Sequence, residues 1–184
     1  MGHRINISNA GYAPVSVNSD STYTPGTKVP IPGLMTIDLT LLAATGELYG
    51  DGALTSKLSK LTGATLKFGH NKLSLEDRAA ILGHTYSNGV LSVKTTDVPA
   101  EIAFYFEMEH DDGKKEQIWL LSGKADPTGV SAKQSEANIT FSTDEMTINF
   151  VRANKTKEVL QWMDTSDSTV TDTMSTAFAA APTV

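Results

Sequence analysis

The stretch that most restricts this chain is "EIAFYFEMEHDDGKKEQIWLLSG", Glu101–Gly123. Its first half alternates. Ile102, Phe104, Phe106 and Met108 share one face, and Glu101, Tyr105, Glu107 and Glu109 share the other. A period of two is the signature of a strand with one buried face. Asp112-Gly113 supplies a turn, and "EQIWLL" returns as the second arm of a long β-hairpin. The return arm is apolar on both faces, Trp119 and Leu121 against Ile118 and Leu120. Such a strand is covered on both sides, by another layer or by another subunit.

Other segments repeat the strand pattern. In "GLMTIDLTLL" (Gly33–Leu42), Met35, Ile37, Leu39 and Leu41 form an inner face, and Thr36, Asp38 and Thr40 a wet one. In "ATLKFGH" (Ala64–His70), Leu66 and Phe68 point in while Thr65 and Lys67 point out. Between them lies Ala43–Gly63, with four glycines and no sustained period of two, which reads as a long loop. Leu54, Leu58 and Leu61 within it have the spacing of a short amphipathic turn. "YSNGVLSVK" carries the Asn88-Gly89 hairpin signal. "ANITFSTDEMTINFV" reads as two short strands around Asp144-Glu145, and "KEVLQWMD" as a last one.

One segment departs from the β pattern. In "LSLEDRAAILGH", Ser74 is a natural N-cap and Asp77, three residues on, completes a capping box. Leu75, Ala79 and Leu82 form an apolar stripe, and Gly83 suits a left-handed C-terminal residue. The helix is too short to stand alone in water, so it lies on a sheet. Residues 1–32 hold Pro14, Pro25, Pro30 and Pro32 and read as an arm. Residues 164–184 are rich in Ser, Thr and Ala and read as a flexible polar tail. The expected fold is mainly β: a β-sandwich or partly open barrel with one flanking α-helix. One domain spans residues 1–163, including the arm and the 43–63 loop, and the tail follows.

The titratable residues form no catalytic pattern. His3, His70, His84 and His110 are scattered without the spacing of a zinc site. His84 follows a helix C-terminus, where an imidazole finds hydrogen bonds, and no Ser or Cys motif marks a nucleophile for it. "HDDGKK" lacks the further oxygen ligands of a calcium loop. Glu101, Glu107 and Glu109 admit a glycosidase reading, but a row of acids on one strand face is more often solvated. No catalytic, cofactor or metal site is expected, and the chain is not expected to be an enzyme. A net charge of -6 disfavours gripping DNA, which takes Lys and Arg to neutralise phosphates. There is no cysteine, no apolar run long enough for a membrane span and no apolar signal core at the start.

The stretch "ILGHTYSNGVLSVKTTDVPAEIAFYFEMEHDDGKKEQIWLLSGK" (Ile81–Lys124), with "IPGLMTIDLT…LYGDGAL" before it, resembles the major tail tube proteins of long-tailed, non-contractile bacteriophages. The resemblance runs over about residues 5–165. It implies the tail tube fold and homohexameric rings that stack into a hollow tube for genome ejection. It implies a virion location in the tail, assembly in the host cytoplasm, and a tape measure protein and a tail terminator as partners. DNA would pass through the lumen without specific binding, and no membrane would be involved. Thr36, Asp38, Thr40, Lys67, Glu101, Glu107 and Glu109 would line the lumen as a largely acidic wall. Glu47, Tyr49, Asp51, Leu54, Lys57, Leu58 and Lys60 would belong to the ring-stacking loop. The alternatives are a tail terminator or other tube component of the same fold, or a monomeric carbohydrate-binding module of a virion using Tyr49, Tyr86 or Trp162.

Overall fold

The computed structural model describes residues 2–51, 53–130 and 143–184. In chain order the strands are β1 (Arg4–Asn18), β2 (Tyr23–Pro25), β3 (Val29–Pro30), β4 (Leu34–Gly50) and β5 (Ala53–His70). Helix α1 (Leu75–Leu82) precedes β6 (Thr85–Ser87), β7 (Val90–Ser92), β8 (Ile102–His110) and β9 (Lys115–Ala125). Then come β10 (Asp144–Val151), β11 (Leu160–Asp164) and α2 (Asp172–Ala180). Nine strands form one sheet in the order β2-β1-β8-β9-β10-β5-β4, with β3 on β1 and β11 on β9. Every pairing is antiparallel. β6 and β7 make a separate hairpin around Asn88 and Gly89, both at positive φ.

The mainly-β expectation holds, with two amendments. The strands do not split into the two facing sheets of a sandwich. One sheet curls instead: Ala10 and Tyr12 of β1 join Leu66 and Phe68 of β5 in a single apolar cluster, yet β4 and β2 remain at opposite ends and, among the described residues, no barrel closes. Among the described residues there are also two helices rather than one, because α2 occupies the segment read as a polar tail.

The β8–β9 hairpin is the keystone, as its pattern demands. Phe104, Phe106, Ile118 and Leu120 pack inside the curl with Leu66, Phe68, Ile148 and Phe150. Tyr105, Trp119 and Leu121 face the other way, in a second cluster with Ala13, Tyr23 and Phe178. That second face is covered by the chain's own β1, β2 and α2. Trp119 Nε1 donates to the carbonyl of Phe178, and Gln117 Nε2 donates to the carbonyl of Ser175. A hydrophobicity pattern dominated by Ser, Thr and Ala hides this helix, since only Phe178 of α2 is fully buried.

Residues 1–32 are likewise not a free arm. β1 pairs along β8 from Arg4 to Pro14, bulging between Arg4 and Asn6 and between Ser8 and Gly11. Pro14 is tolerated because Val15 N donates to Glu101 O, which makes the Pro14–Ile102 pair the non-hydrogen-bonded kind. The missing N–H would have pointed away from β8 in any case.

Helix α1 forms as its caps require. Ser74 Oγ accepts from Asp77 N at 3.0 Å, and Gly83 adopts φ 71°. The stripe is rotated from the expected one: Ala79, Ile81 and Leu82 are buried, while Leu75 is exposed. Asp144 and Glu145 begin β10 rather than turn between two strands, and the strand expected before them lies largely outside the described residues. Met35 is exposed rather than inward, because a register irregularity between Leu34 and Thr36 breaks the alternation there.

Candidate functional site

The segment Ala43–Gly63 is not a loop. β4 and β5 continue through it, paired from Ala43–Leu61 to Gly50–Ala53. At about 3.3 Å per residue the extension is on the order of 25 Å long. Bulges explain why the sequence concealed it. The register shifts between Leu42 and Ala43 and again between Leu48 and Tyr49, each time adding one residue to β5. These insertions break the period of two. The 4-and-3 spacing of Leu54, Leu58 and Leu61 imitates a helix while running along a bulged strand.

Every described side chain from Leu41 to Thr62 is exposed. Among them Leu58 is 70% exposed, Tyr49 64%, Leu48 62% and Leu54 50%. Two of the four charged side chains here, Glu47 and Lys57, pair with each other. Glu47 and Lys57 are cross-strand partners, and Lys57 Nζ lies 2.9 Å from Glu47 Oε1. Tyr49 donates its hydroxyl to the same carboxylate at 3.0 Å. These contacts hold Glu47 below the usual carboxylate range, Lys57 first and Tyr49 second. Exposed pairs of this kind contribute little to stability. Asp51 holds the tip at φ 51°, and Lys60 faces Ala44 across the ladder. A two-stranded hairpin carrying leucines on open faces is marginal in water. It gains stability when a partner covers it.

The same region offers an edge. β4 pairs with β5 on one side and, among the described residues, with no strand on the other. Over its length the edge carries only Asp38 and Glu47 as charges and no proline. Natural edges are usually blunted by such residues, so this one is open for pairing.

A polar face runs inward from that edge. Thr36, Asp38 and Thr40 are exposed on β4, and Asp38 is paired across the ladder with Lys67. Lys67 is in turn the partner of Thr147 on β10, and its Nζ lies 2.9 Å from Glu145 Oε2. That hydrogen bond first, and the charges of Glu145 and Asp38 after it, raise the Lys67 pKa. The next row joins Thr40, Thr65, Asn149 and Lys124. Asp38, Glu145 and Asp126, whose carboxylate accepts from Asn149 Nδ2 at 2.9 Å, face Lys67 and Lys124. Three acids thus stand against two lysines.

Glu107 and Glu109 are covered rather than solvated, whereas Glu101, just before β8, borders one hollow with Lys124 and Asn149. Glu107 is 3% exposed and accepts from Tyr105, Asn9, Gln117 and Lys115. Burial opposes its charge, but these four donors prevail and hold its pKa at about 2. Glu109 accepts from Ser8 and Asn6, and Glu101 from Asn18 and Ser122. The sequence predicted a solvated acidic row. In the structure β1 lays its Asn and Ser side chains across it.

The histidines serve as local ties. His84 Nδ1 lies 2.8 Å from Asp97 Oδ2, and His110 Nε2 lies 2.8 Å from Glu116 Oε1, which Arg4 also clasps. Among the described residues no three His, Asp or Glu side chains converge as metal ligands. Tyr49, Tyr86 and Trp162 stand on β4, β6 and β11 and form no common aromatic platform. A polar cleft of about 430 Å³ lies between α2 and the β8–β9 turn, with Glu107, Lys115 and Asp172 on its walls. Among the described residues no helix is long and apolar enough to cross a membrane. No protein-family model matches the chain, and no curated protein is similar to it.

Proposed function

We propose that this chain is the structural subunit of a phage tail tube. Copies close into hexameric rings, the rings stack, and the genome leaves through the bore. The observation that carries this reading is the β4–β5 extension: a hairpin with an open edge and leucines on its surface, which the described residues leave bare. Two such unmet contacts suit a polymer. A heterologous contact around a ring and a second along an axis give an open-ended tube. Pairing of sheet edges between copies removes the edges altogether. The residue pattern of Ile81–Lys124 supports the same assignment.

In this reading the extension, from Glu47 and Tyr49 to Leu58 and Lys60, links successive rings, and the face of Thr36, Asp38, Thr40 and Lys67 lines the bore. Each lysine there has a carboxylate or amide neighbour, so the wall offers DNA few free cations to grip. The tube belongs to the virion tail, is built in the host cytoplasm, and takes a tape measure protein and a terminator as partners. The subunit does no chemistry. Negative-stain imaging of the purified chain over a range of concentrations tests this. Hollow tubes of constant width are expected. Single closed rings that never stack would make it a terminator-like component, and a strict monomer that binds glycans would replace the reading altogether.

A further inference from the structure

Away from the assembly surface, one cluster brings an amine onto an amide it can attack. Lys28 Nζ donates to Asn9 Oδ1 at 2.9 Å and to the Asn9 carbonyl at 3.0 Å. Asn9 sits at the bulge of β1 with φ 50°. Its Nδ2 donates to Glu107 Oε1 at 2.9 Å. This orientation of the amide is fixed by chemistry. Reversed, it would set its NH₂ against an ammonium and its oxygen against a carboxylate. Lys28 Nζ therefore stands at the carbonyl oxygen of the Asn9 side chain, and Glu107 at its amide nitrogen.

The surroundings suit the reaction. Lys28 is half-buried, and that desolvation lowers its pKa to about 8 against the pull of the Glu107 charge. About a tenth of the amine is then neutral at pH 7. The Tyr105 ring, 3.9 Å below Nζ, favours the ammonium but holds the side chain in place. Glu107 is itself held by Tyr105, Gln117 and Lys115 and cannot swing away.

We propose that Lys28 and Asn9 join in an intramolecular isopeptide bond, with Glu107 holding the Asn9 amide in position. The neutral Lys28 amine attacks the Asn9 side-chain carbonyl carbon, and a C–N bond forms to Nζ. One Nζ proton is lost to solvent in the cleft that Asn9 and Glu107 line, and Nδ2 takes one up from it. The bond from the carbonyl carbon to Nδ2 breaks and ammonia leaves. No oxidant or cofactor enters, and the product is a secondary amide that ties β1 to the stretch before β3. The tie closes a covalent loop around the proline-rich segment, an effect like that of a disulfide in a chain that has no cysteine.

Intact-mass measurement and tryptic mapping of the full chain, incubated near the Lys28 midpoint, test this. The expected mass is lower than the sequence mass by one ammonia. Trypsin then fails to cut after Lys28, leaving residues 5–57 as one peptide closed into a loop by the link. Lys28→Arg restores both the mass and the cut, and Glu107→Gln slows bond formation by about a hundredfold, because the Asn9 amide loses the anchor that orients it. A folded chain of full mass that is cut after Lys28 overturns the proposal. So does an ammonia loss that persists in Lys28→Arg, which would mark cyclisation of Asn9 on its own backbone. The wild type and Lys28→Arg decide between these outcomes even if Glu107→Gln fails to fold.

Discussion

Deleting residues 46–61 is expected to abolish tube formation while leaving the folded subunit intact. None of the removed side chains belongs to either apolar cluster, and the cut falls within the exposed part of the β4–β5 ladder, where Thr45 pairs with Ser59. The midpoint of thermal unfolding should therefore move by only a few degrees, the shift of about 1 kcal/mol in a domain of this size. Imaging should find single rings or monomers at concentrations where the full chain stacks. Long tubes from the deleted chain would show that stacking is carried elsewhere. A collapse in melting temperature would show that the extension is part of the core after all.

The second large effect concerns the far side of the sheet. Trp119 is fully buried, stacks at 4.9 Å on Tyr105 and donates to the carbonyl of Phe178 in α2. Trp119→Ala removes an aromatic anchor and opens a cavity beneath a helix with few other holds, a change that typically costs about 3–5 kcal/mol. Urea unfolding should register that loss. Protease cleavage within residues 165–184 should quicken well before the sheet itself unfolds, because α2 loses its seat. A loss below about 1 kcal/mol, with α2 still protected, would mean that the helix is held by other contacts.

These two experiments divide what was legible in the sequence from what was not. The β8–β9 hairpin could be read directly, since its alternation is unbroken and its turn is signalled by Asp112-Gly113. So could α1, whose capping residues make the bonds that their types imply. The demand that Trp119 and Leu121 be covered was also correct, but its source was not visible. The covering helix contributes one large buried residue, Phe178, in a segment that otherwise resembles a solvated tail. The extension of β4 and β5 was hidden by its bulges, which turn an alternating pattern into one with helical spacing.

The acidic row failed for a different reason. Glu107 and Glu109 lie on one strand face, as read, but whether such a face is wet depends on which strand pairs alongside. β1 comes from far away in the sequence, and its Asn6, Ser8 and Asn9 carry no periodic signal of their task. The outward direction of Lys67 was legible from alternation alone, whereas its pairing with Glu145 required the β5–β10 register.

With α2 seated on the second face of the sheet, the demand for a partner falls on β4 and the hairpin it leads into. Amide hydrogen exchange along β4, measured on dilute and on concentrated protein, reads that demand most directly. The β4 amides that point away from β5 should exchange freely in the dilute monomer and become protected in step with assembly, while those bonded to β5 below Leu42 stay protected throughout. Outward amides that are protected already in the monomer, or that exchange freely at every concentration, would contradict a subunit completed by its neighbours.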